Sequence, residues 1–111
     1  MSFSYSIDHR PNAVIASLSG SLDLNTADRL NEAIDAIVRN QGTLTVLDLS
    51  RCTYLNSLGI GAFVRLHQSV KPQGGRVRLA ACSAFVKSVL SASKLGGVLP
   101  QFETIEDALR D

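Results

Sequence analysis

The sequence predicts an α/β domain: a mixed β-sheet of four to five strands, opened by a β-hairpin, with about four helices packed mainly on one face. Two observations carry this reading. The chain begins with two alternating apolar/polar runs separated by a proline turn, which is the pattern of a hairpin. Short apolar runs then alternate with stretches whose apolar residues recur every three or four positions. That is the rhythm of parallel strands joined by right-handed helical crossovers.

Each element has a local reason. SFSYSID sets Phe3, Tyr5 and Ile7 on one face and Ser4, Ser6 and Asp8 on the other, as a half-buried strand does. HRPN turns at Pro11, whose ring fixes its own backbone angle. AVIASLSGSL returns with Val14, Ala16 and Leu18 opposite Ile15 and Ser17. In DLNTADRLNEAIDAIVRN the period changes: Ala27, Leu30, Ala33, Ile34, Ile37 and Val38 form one helical stripe. Either Asn25 or Thr26 is a suitable cap, Asp28 suits the positive end of the dipole, and Gly42 after Asn40 is the stop signal. TLTVLDLS reads as a strand covered on both faces. NSLGIGAFVRLHQSVK is helical, with Ile60, Phe63, Val64, Leu66 and Val70 on a broad face, and PQGG breaks it. RVRLAAC is a further strand. SAFVKSVLSASKLGG is a helix capped by Ser83 and ended by Gly96. VLPQF is a short edge strand, since Pro100 cannot donate a ladder bond. TIEDAL closes the chain, with Thr104 and Asp107 spaced like a capping box. The order is β-β-α-β-α-β-α-(β)-α, and no repeat or linker divides residues 1–111, so a single domain is expected.

Composition narrows the function classes. A chain of 111 residues buries roughly two thirds of its unfolded surface and needs neither metal nor disulfide to fold. Apolar residues make up 45%, which argues against disorder. Eleven basic and ten acidic residues are scattered along the chain, and no basic stripe suggests a nucleic-acid partner. Cys52 and Cys82 lie in no CxxC pair and read as small reduced hydrophobes. MSFSYSIDHR is not a signal peptide, and no apolar run approaches the ~20 residues of a membrane span. The expectation is a cytoplasmic protein without membrane insertion, with a monomer as the default state.

Catalytic patterns are missing. There is no H-E-x-x-H, G-x-S-x-G or Walker G-x-x-x-x-G-K, and Val64 stands where a dinucleotide loop after GIG needs its third glycine. His9 falls in the turn. His67 falls on the apolar face of a helix, where a core histidine bonded to a neighbour is expected. Neither an enzyme nor a cofactor is expected.

The most informative stretch is LNSLGIG, residues 55–61. Ser57 follows a strand by a short loop and starts a helix. Its hydroxyl either caps that helix or serves as a phosphate acceptor. The first N–H groups of a helix are unpaired and carry the positive end of the dipole, so the fold tolerates a phosphate there. Its ≈ −1.5 to −2 charge changes what a partner meets. Gly59 and Gly61 either let a partner approach the backbone or let the helix pack closely on the sheet.

LDLSRCTYLNSLGIGAFV resembles the signature of STAS domains, in which a strand ending Asp-Leu-Ser leads to Asp-Ser-Ser/Thr-Gly-Leu-Gly at a helix start. GSLDLNTADRL is similar to the family's second landmark, Gly-x-Leu/Ile-Asp followed by Thr-Ala, and the closing segment has the family's rhythm, so the resemblance runs from about residue 3 to 110. It implies a STAS-like fold and a stand-alone anti-sigma factor antagonist. Such a protein, unmodified, binds an anti-sigma factor with serine kinase activity and frees the sigma factor. The kinase phosphorylates the antagonist and ends the binding; a metal-dependent serine phosphatase restores it. By motif position Ser57 matches the phosphoacceptor and Asp23 the acidic residue of the second landmark. Asn25, Thr26, Asn56, Leu58, Gly59, Ile60 and Gly61 complete the implied partner surface. Two positions depart from the family pattern: Asn56 replaces its Asp and removes a charge, and Leu58 replaces its second hydroxyl with an apolar group. The alternative implied by other relatives is an unphosphorylated subunit of a transport ATPase, of the lipid transport type, with Leu58 as an apolar anchor.

Overall fold

One ten-residue strand, Ala13–Leu22 (β2), organises the sheet in the computed structural model of the chain, which describes residues 3–39, 44–95 and 97–110. On one side β2 takes the antiparallel strand Phe3–Arg10 (β1), in register from Phe3↔Gly20 to Arg10↔Ala13. On the other it takes two parallel strands in succession. Leu44–Asp48 (β3) lies along Ala13–Ser17, and Cys52–Leu55 (β4) lies along Gly20–Leu22. Arg76–Ala80 (β5) pairs with β3, and Gln101–Phe102 (β6) pairs with β5. The order is β1-β2-β3-β5-β6 with β4 beside β2.

Among the described residues the sheet therefore has six strands rather than four to five. The additional one is β4. Its four residues are too short to show a period, and its burial runs inward-outward-outward-inward, with Cys52 and Leu55 covered and Thr53 and Tyr54 exposed. Pairing with distant β2 makes it a strand. β6 is reduced to two residues, with the carbonyl of Pro100 accepting from the Leu79 N–H at 2.9 Å just before it.

Helices Ala27–Arg39 (α1), Ser57–Val70 (α2) and Ala84–Ala92 (α3) cover one face. The alternation of β2 and β3 sends Ala16, Leu18, Leu47 and Leu49 to that face. There they meet Leu30, Ala33, Ile34 and Ile37 of α1, Phe63, Leu66 and Val70 of α2, and Val86 and Leu90 of α3. Each fully buried Leu, Ile or Phe contributes about 1.5–3 kcal/mol relative to exposure, so this face supplies most of the stabilisation. The short helix Ile105–Leu109 (α4) crosses to the other face and seats Ala108 over Ala13, Ile15, Leu44, Val46 and Ala80. Arg78 ties it down: its guanidinium donates to the carbonyl oxygens of Ala108 and Arg110 at 2.8 and 2.5 Å and lies 5.3 Å from the Phe102 ring centroid.

Two caps follow the sequence. The Ser83 hydroxyl accepts from the Val86 N–H at 3.2 Å, and Thr104 accepts from Asp107 N–H at 3.0 Å. Helix α3 stops at Ala92, and Lys94 takes a left-handed φ of 55°. The two glycine stop signals, Gly42 and Gly96, lie outside the described residues. His67 is half-buried on α2, but its Nδ1 is buried with no hydrogen-bond partner among the described residues, contrary to the bonded core histidine expected.

Candidate functional site

The site forms where β2 and β4 end side by side. Leu22 and Leu55 are paired across the parallel ladder, and both are fully buried. The next residue on each strand, Asp23 and Asn56, therefore emerges at the same edge of the sheet, and each caps the helical segment that follows.

The Asp23 loop is held by its own hydrogen bonds. The Asp23 carboxylate accepts from the Ser21 hydroxyl at 2.7 Å and from the Asn25 N–H at 2.9 Å. Thr26 answers by accepting from the Asp23 N–H at 3.0 Å while donating to the Ser21 carbonyl at 2.7 Å. A single 3-10 turn, Leu24–Thr26, links this box to α1. The Ser21 hydroxyl, helped by the N–H groups of Asn25 and Thr26, holds the Asp23 carboxyl below the usual 3.8. Asp23 is thus the cap, in place of Asn25 or Thr26.

On the neighbouring loop the Asn56 side chain accepts from the Leu58 N–H at 3.0 Å, and the Asn56 carbonyl takes the first helical bond, from Ile60 N–H at 3.1 Å. Capping therefore belongs to Asn56. Ser57 is the first residue of α2, it is exposed, and its hydroxyl has no hydrogen bond among the described residues. The N–H groups of Ser57 and Gly59 have no intrahelical partner, because the first turn of a helix offers none.

The two glycines separate in role. A Cβ on Gly59 would lie 2.3 Å from Leu55 Cδ1 and 3.2 Å from Leu22 Cβ, so this residue lets α2 sit against the paired leucines. A Cβ on Gly61 would meet nothing within 4 Å, and no packing within the chain requires glycine there. Gly59 and Thr26 are both buried, at 4% exposure for Thr26. Both support the surface from beneath, which corrects their expected place on it. Asp23, Asn25, Asn56, Leu58, Ile60 and Gly61 all retain exposed or half-exposed surface.

Three further residues shape this surface without having been expected. Leu24 is 76% exposed, and Tyr54 stacks on Phe85 of α3 with ring centroids 5.7 Å apart. With Leu58 they make four of the five large exposed hydrophobic side chains among the described residues. Between Leu24 and Tyr54 lies a shallow depression of about 500 Å³, lined also by Ser21, Asp23, Asn25 and Asn56. The available signal was that Leu24 and Phe85 fall off the apolar stripes of the helices they precede or begin.

No three His, Cys, Asp or Glu side chains cluster to hold a metal among the described residues. A polar notch of about 340 Å³ between Ser6, Ser17, Ser19, Asp48, Ser50 and Arg51 has its carboxylate engaged: Asp48 accepts from the Ser17 hydroxyl and the Ser50 N–H. Among the described residues no helix is long and apolar enough to cross a membrane.

The model of the STAS domain matches residues 4–108. The chain belongs to the STAS domain family. Among curated relatives it is 27% identical over 112 residues to an anti-sigma F factor antagonist of Paenibacillus polymyxa, covering 100% of this chain and 96% of that protein. It is 30% identical over 102 residues to the anti-sigma-F factor antagonist RsfB of Mycobacterium tuberculosis, covering 92% and 82%. The crystal structure of an anti-sigma factor antagonist from Mycobacterium paratuberculosis superposes with a TM-score of 0.88 at 25% identity, over 97% of this chain and 92% of that one. The STAS fold expected from the sequence is the fold observed.

Proposed function

We propose that this STAS domain is an anti-sigma factor antagonist whose docking to an anti-sigma factor with serine kinase activity is controlled by phosphorylation of Ser57. One observation carries the reading: Ser57 is exposed at the first residue of α2 and its hydroxyl has no hydrogen bond among the described residues, because Asn56 has taken the cap. The names of the relatives support the partner class. Unmodified, the Leu24, Tyr54, Leu58 and Phe85 surface docks the anti-sigma factor and the sigma factor leaves. In the transfer step the Ser57 oxygen attacks the γ-phosphorus of ATP held by the kinase. The new O–P bond replaces the bond to ADP, and the hydroxyl proton passes to a base of the kinase. The dianion then stands beside the Asp23 loop and an apolar surface, which opposes docking through desolvation and like charge. A metal-dependent serine phosphatase returns the hydroxyl by directing water at phosphorus. The antagonist itself supplies no catalytic group, and it acts in the cytoplasm, where the sigma factor works.

The test is phosphate transfer from ATP by the purified anti-sigma factor kinase, with Ser57→Ala as control. Wild type should take up one phosphate and the variant none. Equal uptake by Ser57→Ala would remove the assignment. Stoichiometric copurification with an ATP-binding cassette subunit, with no phosphate on Ser57, would favour a transport-ATPase subunit instead.

A further inference from the structure

The two edges of the sheet are finished differently. On the β6 side the edge strand has two residues and follows Pro100, the usual means of blunting an edge. On the β1 side eight residues pair with β2 without a register shift, and among the described residues no strand covers their outer edge. β1 contains neither proline nor lysine, and its charged residues are confined to one end, where Arg10 donates to Asp8 at 3.1 Å. Tyr5 and Ile7 are half-buried on the α1 face and Ser4 and Ser6 are exposed on the other.

We propose that the outer edge of β1 pairs antiparallel with the β1 of a second copy of this chain, about a two-fold axis at Ser6. The strand is self-complementary in that register. Ser6 meets Ser6, small against small. Tyr5 meets Ile7 of the other copy twice, an aromatic and a β-branched side chain on the same face, which is a favourable cross-strand pairing. Ser4 meets Asp8, a hydroxyl that can donate to a carboxylate, and Phe3 meets His9. No like charges face each other. The twelve strands of the two copies then form one continuous sheet, and the unpaired backbone groups of both edges are satisfied.

Sedimentation of the purified chain from micromolar to millimolar concentration tests this, with three variants. Wild type should rise toward twice the 11.9 kDa chain mass. Ser6→Lys, on an exposed position, places two ammonium groups on the axis and should weaken association at least tenfold while leaving the thermal midpoint unchanged at concentrations where wild type is also a single chain. Ser6→Cys should cross-link under diamide, which accepts the two electrons and two protons released, because directly opposed residues lie within disulfide reach. Ser4→Cys should not, since its counterpart is displaced by about 14 Å along the strands. A mass of one chain at every concentration overturns the proposal. So does a dimer that tolerates Ser6→Lys, or one in which both cysteine variants cross-link equally, since the contact then lies elsewhere.

Discussion

At Ser57 and its neighbours, small changes of atom have separable effects. Ser57→Ala should leave stability within about 0.5 kcal/mol, because the hydroxyl is not the cap, whereas Asn56→Ala should cost about 1 kcal/mol by freeing the Leu58 N–H. Ser57→Asp should weaken binding of the anti-sigma factor by an order of magnitude or more with little shift in thermal midpoint; undiminished affinity would remove the switch. The glycine pair gives opposite signs. Gly59→Ala drives a methyl into Leu55 and Leu22 and should destabilise by about 1–3 kcal/mol. Gly61→Ala has open space and should stabilise by up to about 1 kcal/mol through helix propensity, measured by denaturant titration. Asp23 adds a pH dependence. Its folded-state pKa is depressed, so the stability it brings is full above the unfolded value of 3.8 and is lost as pH falls through the folded value. Asp23→Asn should flatten the fall in thermal midpoint below pH 3.8. Cys52 and Cys82 are free and buried. Burial raises both thiols, and with help from neighbouring Cys52 it pushes Cys82 up to about 11. Neither should react with a thiol reagent at neutral pH until the chain unfolds, when both should.

At the scale of elements, periodicity revealed what burial imposes locally and missed what distant pairing imposes. The α1 stripe was legible because Leu30, Ala33, Ile34 and Ile37 all face one core. β2 was legible because Ala16, Leu18 and Leu22 face the larger core while Ala13 and Ile15 face the smaller one. β4 was not, since four residues with two exposed in the middle carry no period. The site was legible in the same uneven way. Ser57 and Asp23 came from motif position, and the split between Gly59 and Gly61 needed the leucines beneath one of them. The apolar patch needed three dimensions, because Leu24, Tyr54 and Phe85 come from three separate segments. Leu24→Ala and Phe85→Ala should each lower affinity for the anti-sigma factor about tenfold, equivalent to about 1.4 kcal/mol; Leu24→Ala should leave stability unchanged, and Phe85→Ala should cost about 0.5–1.5 kcal/mol through loss of the stack on Tyr54. Isothermal titration of the folded variants checks this.

For the molecule as a whole, two unequal cores divide the labour. The larger, under α1 to α3, holds the paired strand ends that present Asp23 and Ser57. The smaller depends on α4, a helix of five residues anchored by Arg78. Removing residues 103–111 should uncover Ala13, Ile15, Leu44 and Val46, lower stability on the order of 3 kcal/mol and raise binding of an apolar dye. If the truncated chain keeps its midpoint, α4 is an ornament of the back face rather than its cover.

Leu22 and Leu55 sit opposite each other on adjacent strands, so the two loops that follow are separated by one rung of the ladder, about 4.8 Å. Main-chain hydrogen bonds, not side chains, set that gauge. Helices can slide by fractions of an ångström and their buried residues can be exchanged while the gap between the acidic turn and the serine turn stays constant. The chain has wide latitude to change its filling, and less to lengthen either strand: the register shift between Gly20 and Ser21 already absorbs Thr53 before Leu22 meets Leu55, and a further residue beyond that shift would put the two turns out of step.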